Sequence, residues 1–234
     1  MNTNQKVTAI VCAYNEEKTI RGVMETLVHC PRIDEVIVVD DGSRDKTAKI
    51  LGEFKHWQHV KTILLTENCG KGYGMATAAA YAKGDLLLFV DADLIHLSNR
   101  HVDLLLDTLI NEAADMVLGF PVRGKAMSFA ERLDPFPRLS GQRVVYRNDF
   151  LKLSDVIYTS GYGVETILND YYQEQGKRVC SVFLPNLIHP IKFEKSGLLK
   201  AIGEYGLEGK EILAIKLKKP QLFWQSILCV MNRK

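Results

Sequence analysis

Asp91-Ala92-Asp93 stands directly after the apolar run Leu86-Leu87-Leu88-Phe89-Val90. Side chains two apart on extended backbone point the same way, so this spacing brings two carboxylates together at the end of a strand. Paired hard oxygen ligands suit Mg²⁺ or Mn²⁺ held with a diphosphate, and the carboxyl edge of an open α/β sheet is where ligands bind. Taken alone, an acid-x-acid pair also fits a solvated turn or a helix cap.

Two more polar clusters follow apolar runs: Ala13-Tyr14-Asn15-Glu16-Glu17 and Val39-Asp40-Asp41-Gly42-Ser43. A nucleotide needs acceptors for its base N–H and ribose hydroxyls, and Asp40, Asp41 and Glu16 supply them. Gly42 and Asp45 are read instead as a turn residue and a helix cap. In Asn68-Cys69-Gly70-Lys71-Gly72-Tyr73-Gly74, backbone N–H groups and the Lys71 cation open a helix toward an anion. This stretch has no Ser or Thr after Gly-Lys, as a P-loop requires. Met75 and Thr77 occupy the places where a dinucleotide fingerprint would put its third glycine.

The elements that must position these residues alternate. Val7 to Ala13, Glu35 to Val39, Val60 to Thr66 and Asp85 to Val90 read as strands; Glu16 to Val28, Thr47 to Phe54 and Gly72 to Ala82 carry helical periodicity. This predicts an α/β fold, a Rossmann-like, mostly parallel sheet with helices on both faces. Ser98 is a cap for a further helix through Leu104 and Leu109, followed by a strand at Met116 to Leu118. From Pro121 to Arg143 prolines and glycines break the periodicity among Arg123, Lys125, Arg132, Arg138 and Arg143, and the segment reads as a functional loop or lid. Val144 to Tyr146 (strand), Val164 to Gln175 (helix) and Arg178 to Phe183 (strand) follow. Leu198 to Met231 reads as one or two amphipathic helices, a core or oligomer contact with a membrane-surface role as the alternative.

Composition bounds the rest. A chain of 234 residues with 47% hydrophobic residues suffices for one domain, here taken as a donor-binding half over 1–119, an acceptor half over 120–197 and an extension over 198–234. A formal net charge of +2 gives no footprint for nucleic acid. The apolar run Val7 to Ala13 is far shorter than the roughly 20 residues a membrane helix needs. The five scattered cysteines form neither a zinc nor a disulfide pattern, and a cytoplasmic protein is the expectation, with a membrane-surface contact through its C-terminal stretch as the alternative.

With four motifs in order, Ala13-Tyr14-Asn15-Glu16-Glu17, Val39-Asp40-Asp41-Gly42-Ser43, Asn68-Cys69-Gly70-Lys71-Gly72 and Asp91-Ala92-Asp93, the sequence resembles glycosyltransferase family 2. The resemblance implies a GT-A fold, a UDP- or GDP-sugar donor and Mg²⁺ or Mn²⁺. It places Tyr14, Asn15, Glu16, Asp41, Lys71, Asp91 and Ala92 at the donor and Asp91 and Asp93 at the metal. Within the family the chain is similar to polyprenyl-phosphate sugar synthases. Leu139-Ser140-Gly141-Gln142-Arg143, Gly161-Tyr162-Gly163-Val164-Glu165 and His189 are similar to glucosyl-3-phosphoglycerate synthases, in which a late histidine completes the metal site. Polyprenyl-phosphate synthases often have Gln two positions after the second Asp; Ile95 stands there and cannot ligate, which favours His189 as a ligand.

Glu165, in a first helical turn whose dipole favours a carboxylate, is the candidate base for a hydroxyl acceptor, with a structural glutamate as the alternative. A polyprenyl phosphate or small phosphorylated acceptor needs no base, and Arg143, with Arg123, Arg138, Lys192 and Lys195, is then the candidate phosphate contact. A non-catalytic nucleotide-sugar-binding subunit and a nucleotidyltransferase are the competing classes; the second would carry a Gly-rich loop where Ala13-Tyr14-Asn15-Glu16 stands.

Overall fold

The computed structural model describes residues 5–122, 140–161 and 163–189. Seven strands form one sheet among them: β1 (Val7–Ala13), β2 (Glu35–Asp40), β3 (Val60–Leu64), β4 (Leu86–Asp91), β5 (Met116–Val122), β6 (Arg143–Tyr146) and β7 (Val179–Pro185), in the order β3-β2-β1-β4-β6-β5-β7. Pairing is parallel except at β6, which runs antiparallel to both β4 and β5. The helices are α1 (Ile20–Val28), α2 (Thr47–Gly52), α3 (Lys71–Tyr81), α4 (Asn99–Asn111), α5 (Arg147–Leu151), α6 (Ser154–Tyr158) and α7 (Val164–Glu174).

Alternation along β1 divides the core. Val7, Ala9, Val11 and Ala13 join α1, α2 and α4 through Val23, Leu51 and Leu105, whereas Ile10 joins α3, α5, α6 and α7 through Met75, Phe150, Ile157 and Leu168. With both faces covered, a central strand should be apolar throughout, and all of Leu86 to Val90 in β4 is buried. Each such Leu or Phe removed from water contributes about 1.5–3 kcal/mol, which fixes the register and with it the level at which Asp91 emerges.

The structure extends and corrects the sequence reading. β5 continues past Leu118 to Val122 because its parallel pairing with β7 runs on to Val122 opposite Pro185. Pro121 is tolerated there because β6 pairs with β5 only over Met116 to Leu118. Glu16 to Thr19 is a turn rather than helix: the Thr19 and Ile20 N–H groups both donate to the Glu16 carbonyl. The five-residue helices α5 and α6 were not anticipated, being too short to carry a periodic signal. Arg123, Lys125, Arg132, Arg138, Lys192, Lys195, Tyr162 and the stretch from Leu198 to Met231 lie outside the described residues, as do the middle of the expected loop, 123–139, and the expected C-terminal helices; the loop's ends, Pro121 and Arg143, belong instead to β5 and β6. No helix of the described residues is long and apolar enough to cross a membrane.

Candidate active site

β2, β1 and β4 are parallel neighbours, and their register sets Ala13 beside Asp40 and Cys12 beside Asp91. The three acidic clusters read from the sequence therefore do share the carboxyl edge of the sheet. Cys12, beneath them, is half-buried, and desolvation pushes its thiol up to about 12, which disfavours the thiolate near neutral pH.

Asp91 and Asp93 converge, though not as two residues of one strand. β4 ends at Asp91, and Ala92-Asp93 form a turn. Ile95 then pairs with Ile188 in an isolated antiparallel bridge, the Ile95 N–H donating to the Ile188 carbonyl at 2.9 Å and the Ile188 N–H returning to Ile95 at 3.0 Å. That bridge moors the segment after β7 against the turn after β4. His189 Nε2 consequently comes 3.3 Å from Asp93 Oδ1 and 3.7 Å from Asp91 Oδ2. One ligand atom from each of Asp91, Asp93 and His189 lies within 4.8 Å of the others. Two hard carboxylates and one imidazole, part-exposed at a strand end, fit Mg²⁺ or Mn²⁺.

Lys71 sits at the start of α3 with Nζ 2.9 Å from Asp91 Oδ1 and 2.6 Å from Glu165 Oε1. Burial alone would lower its ammonium, but Asp91 and Glu165 together raise it, so it remains charged. Burial would likewise raise Asp91, and Lys71 and His189 outweigh it, holding the carboxyl below the ordinary range. Glu165, on the first turn of α7, is buried. Gly72 allows this approach of α3 to the α6–α7 turn: its N–H donates to Gly161 O at 2.9 Å, and a Cβ there would run into Ile157 O and Ser160 Oγ.

Asp41 is buried, and its carboxylate accepts the backbone N–H of Cys69 at 2.7 Å and of Gly70 at 2.9 Å. It anchors the loop that presents Lys71, and each oxygen retains a further lone pair for a ligand. Asn15 has a positive φ of 57°, its N–H donates to Ser43 Oγ at 2.9 Å, and its Oδ1 accepts from the Arg44 N–H at 2.8 Å. Glu16 donates its N–H to Thr47 Oγ1 at 2.8 Å, and Tyr14 is 38% exposed beside them. Asp45 Oδ1 accepts the Thr47 N–H at 2.9 Å, but Asp45 stands one residue before Lys46, which is the N-cap of α2, and so is not the cap residue expected.

Two residues are placed differently from the sequence reading. Arg143 is fully buried, its Nη2 donating to Ser140 O at 2.6 Å and its Nη1 4.0 Å from Met116 Sδ. With no surface it cannot meet an acceptor phosphate; it lies inside β6, where burial lowers its guanidinium below the usual value and Glu165 and Asp91 only partly offset this. Ala92 is buried in the core, so its methyl group does not line the site. The sequence reading also missed Gln142, buried with Nε2 2.6 Å from Asp91 Oδ2. The signal was the Ser140-Gly141-Gln142-Arg143 motif itself, from which the charged residue was selected in place of the amide.

Residues 8–171 match the family Glycosyl transferase family 2. The chain belongs to that family. Among its curated relatives is the undecaprenyl-phosphate 4-deoxy-4-formamido-L-arabinose transferase of Proteus mirabilis (strain HI4320), 37% identical over 95 residues, which take in 38% of this chain and 29% of that protein. The 4,4'-diaponeurosporenoate glycosyltransferase of Staphylococcus haemolyticus (strain JCSC1435) is 31% identical over 187 residues, 75% of this chain and 48% of that one. This family 2 chain thus spans about half the length, or less, of the curated relatives it matches. A crystal structure of glucosyl-3-phosphoglycerate synthase from Mycobacterium tuberculosis, in complex with Mn²⁺, UDP and glucosyl-3-phosphoglycerate, superimposes with a TM-score of 0.70 at 24% identity, covering 92% of this chain and 80% of that one. The likeness establishes the GT-A fold.

Proposed function

We propose that this protein transfers a sugar from a nucleoside diphosphate donor, UDP-linked, to a phosphorylated acceptor, with Mg²⁺ or Mn²⁺ held by Asp91, Asp93 and His189. The observation that carries the reading is the convergence of those three side chains from β4 and the β7 end, with Lys71 on the same carboxylate. The Mn²⁺, UDP and glucosyl-3-phosphoglycerate bound by the structural neighbour, and the undecaprenyl phosphate in the name of the arabinose transferase, support it. A divalent ion bound there would neutralise the diphosphate that leaves when the anomeric bond breaks.

The chain's own residues bind and orient. Asp41, through the Cys69 and Gly70 N–H groups, holds the loop in place for Lys71 to meet an anionic donor. Asp41, Glu16, Asn15 and Tyr14 lie along the β1 and β2 ends, where the nucleoside would sit. Glu165 has Oε1 engaged by Lys71, an arrangement suited to holding that cation in position. An acceptor phosphate is already a nucleophile and needs no proton removed, so Glu165 is proposed as the counter-ion of Lys71 rather than as the base expected from its helical position.

Thermal unfolding with UDP, UDP-glucose, GDP and GDP-mannose, with and without Mn²⁺, tests this on the wild type and Asp93→Ala, because a ligand of the native state must raise its apparent stability. The expected result is a shift by uridine nucleotides that requires Mn²⁺ and is absent in Asp93→Ala. A wild type shifted by no nucleotide would overturn the proposal. Mn²⁺-dependent release of UDP from the donor separates an enzyme from a binding subunit.

A further inference from the structure

We infer that Gln142 is a positioning residue for the metal site: with Gly141 it forms a cradle that sets the orientation of the Asp91 carboxylate. The inference rests on the metal reading above and adds to it a residue with no ligand role of its own. Asp91 is the last residue of β4, and a side chain at a strand end has rotamers open to it that a core residue lacks. Both its oxygens are nonetheless engaged. Oδ1 accepts from Lys71 Nζ, and Oδ2 accepts from Gln142 Nε2 at 2.6 Å.

The Gln142 amide is itself held on its other side. Its Oε1 lies 2.9 Å from Ser140 Oγ, which also contacts the Gly119 carbonyl on β5, and the Gln142 carbonyl accepts the Gly119 N–H at 2.8 Å. The orientation that puts Nε2 toward Asp91 is the one in which both ends of the amide have partners. Gly141 supplies the space, since a Cβ at that position would fall on the Asp91 carboxylate. The antiparallel strand β6, which interrupts an otherwise parallel sheet between β4 and β5, is what carries this segment alongside Asp91.

A carboxylate ligand fixed by hydrogen bonds binds metal without first losing rotational freedom, and removing such an outer partner typically weakens metal affinity about 10–100-fold. The experiment is Mn²⁺ titration of the full chain followed by the EPR signal of free Mn²⁺, with UDP present, on wild type, Gln142→Met and Gly141→Ala. Gln142→Met keeps an unbranched chain of similar length and removes only the amide. Gly141→Ala pushes on the carboxylate from the backbone and tests the cradle even if the first variant does not fold. Leu27→Ala, in the fully buried α1 face away from the site, controls for general loosening.

The inference expects Kd for Mn²⁺ to rise about 10–100-fold in both cradle variants and to stay within about twofold of wild type in Leu27→Ala. Wild-type affinity in the cradle variants overturns the positioning role while leaving the metal site standing. An equal loss in Leu27→Ala overturns it too, by showing that affinity follows stability. A wild type that binds no Mn²⁺ overturns the metal reading and this inference with it.

Discussion

Lys71 at the start of α3 and Glu165 at the start of α7, 94 residues apart in sequence, meet in an ion pair of 2.6 Å. Their side chains are only 23% and 11% exposed, so water screens them weakly. Lys71 also touches Asp91, so its ammonium bridges a carboxylate from each half of the site.

Replacing Lys71 with Met would therefore leave two carboxylates facing each other without their common partner. Removing one member of a buried pair costs about 3–5 kcal/mol, and the partial exposure here places the expected loss nearer 2–3 kcal/mol. Adding Glu165→Gln to Lys71→Met should restore part of that loss. Urea unfolding of the single and double variants checks both statements, and independent, additive effects would contradict the shared-cation arrangement.

Asp41 makes a second prediction, about loop geometry. It uses both carboxylate oxygens on the Cys69 and Gly70 N–H groups. Asn offers one acceptor oxygen and turns an NH₂ toward the other donor, so Asp41→Asn should cost about 1–3 kcal/mol and weaken donor binding in parallel. Hydrogen exchange at the Cys69 and Gly70 amides reads the loop directly; unchanged protection would remove Asp41 from this role.

These two pairs mark how far the sequence could be read. The strand-end clusters were legible because an apolar run and a polar tail are local properties, and the parallel order β2-β1-β4 was enough to bring them together. Glu165 and Gln142 were visible as members of short motifs, but their partners were not. The Lys71–Glu165 contact spans the sheet's second half, and the Gln142–Asp91 contact depends on β6 running antiparallel, which no periodicity announces. Arg143 misled for a related reason. A positive residue in a polar motif suggests surface, yet its place in the β6 register turns it inward among Ser140 and Met116. His189 was placed by Ile95, whose bridge to Ile188 a sequence shows only as a missing ligand.

Metal removal gives a third prediction. If Asp91, Asp93 and His189 bind Mn²⁺, then Mn²⁺ at 100 times its Kd should stabilise the protein by about 2.7 kcal/mol, and EDTA should reverse this fully. His189→Ala removes one of three ligands while leaving the Lys71 contacts intact, so it should lose most of the Mn²⁺ stabilisation yet melt near the wild type in EDTA. Equal Mn²⁺ stabilisation in wild type and His189→Ala would take the histidine out of the site.

His101 predicts how stability follows pH. It stands third in α4, where its Nδ1 accepts the Ser98 N–H at 3.2 Å and its Nε2 faces Pro185 O at 3.0 Å. This pairing requires the neutral ring with its proton on Nε2, because a proton on Nδ1 would confront the Ser98 N–H. Burial lowers the His101 pKa below its ordinary 6.5, and nearby Arg100 adds to the shift against the Pro185 carbonyl, which opposes it. In the window below 6.5 the unfolded chain then binds the proton more readily than the folded one. The stability contributed by neutral His101 is complete above that value and is lost as pH falls toward the lowered folded pKa. His101→Gln can still accept from Ser98 but does not titrate, so its unfolding free energy should change less between pH 7 and pH 5.5, by about 1.4 kcal/mol for each unit of the shift. Identical pH profiles for wild type and His101→Gln in urea unfolding would show that this ring carries no such linkage.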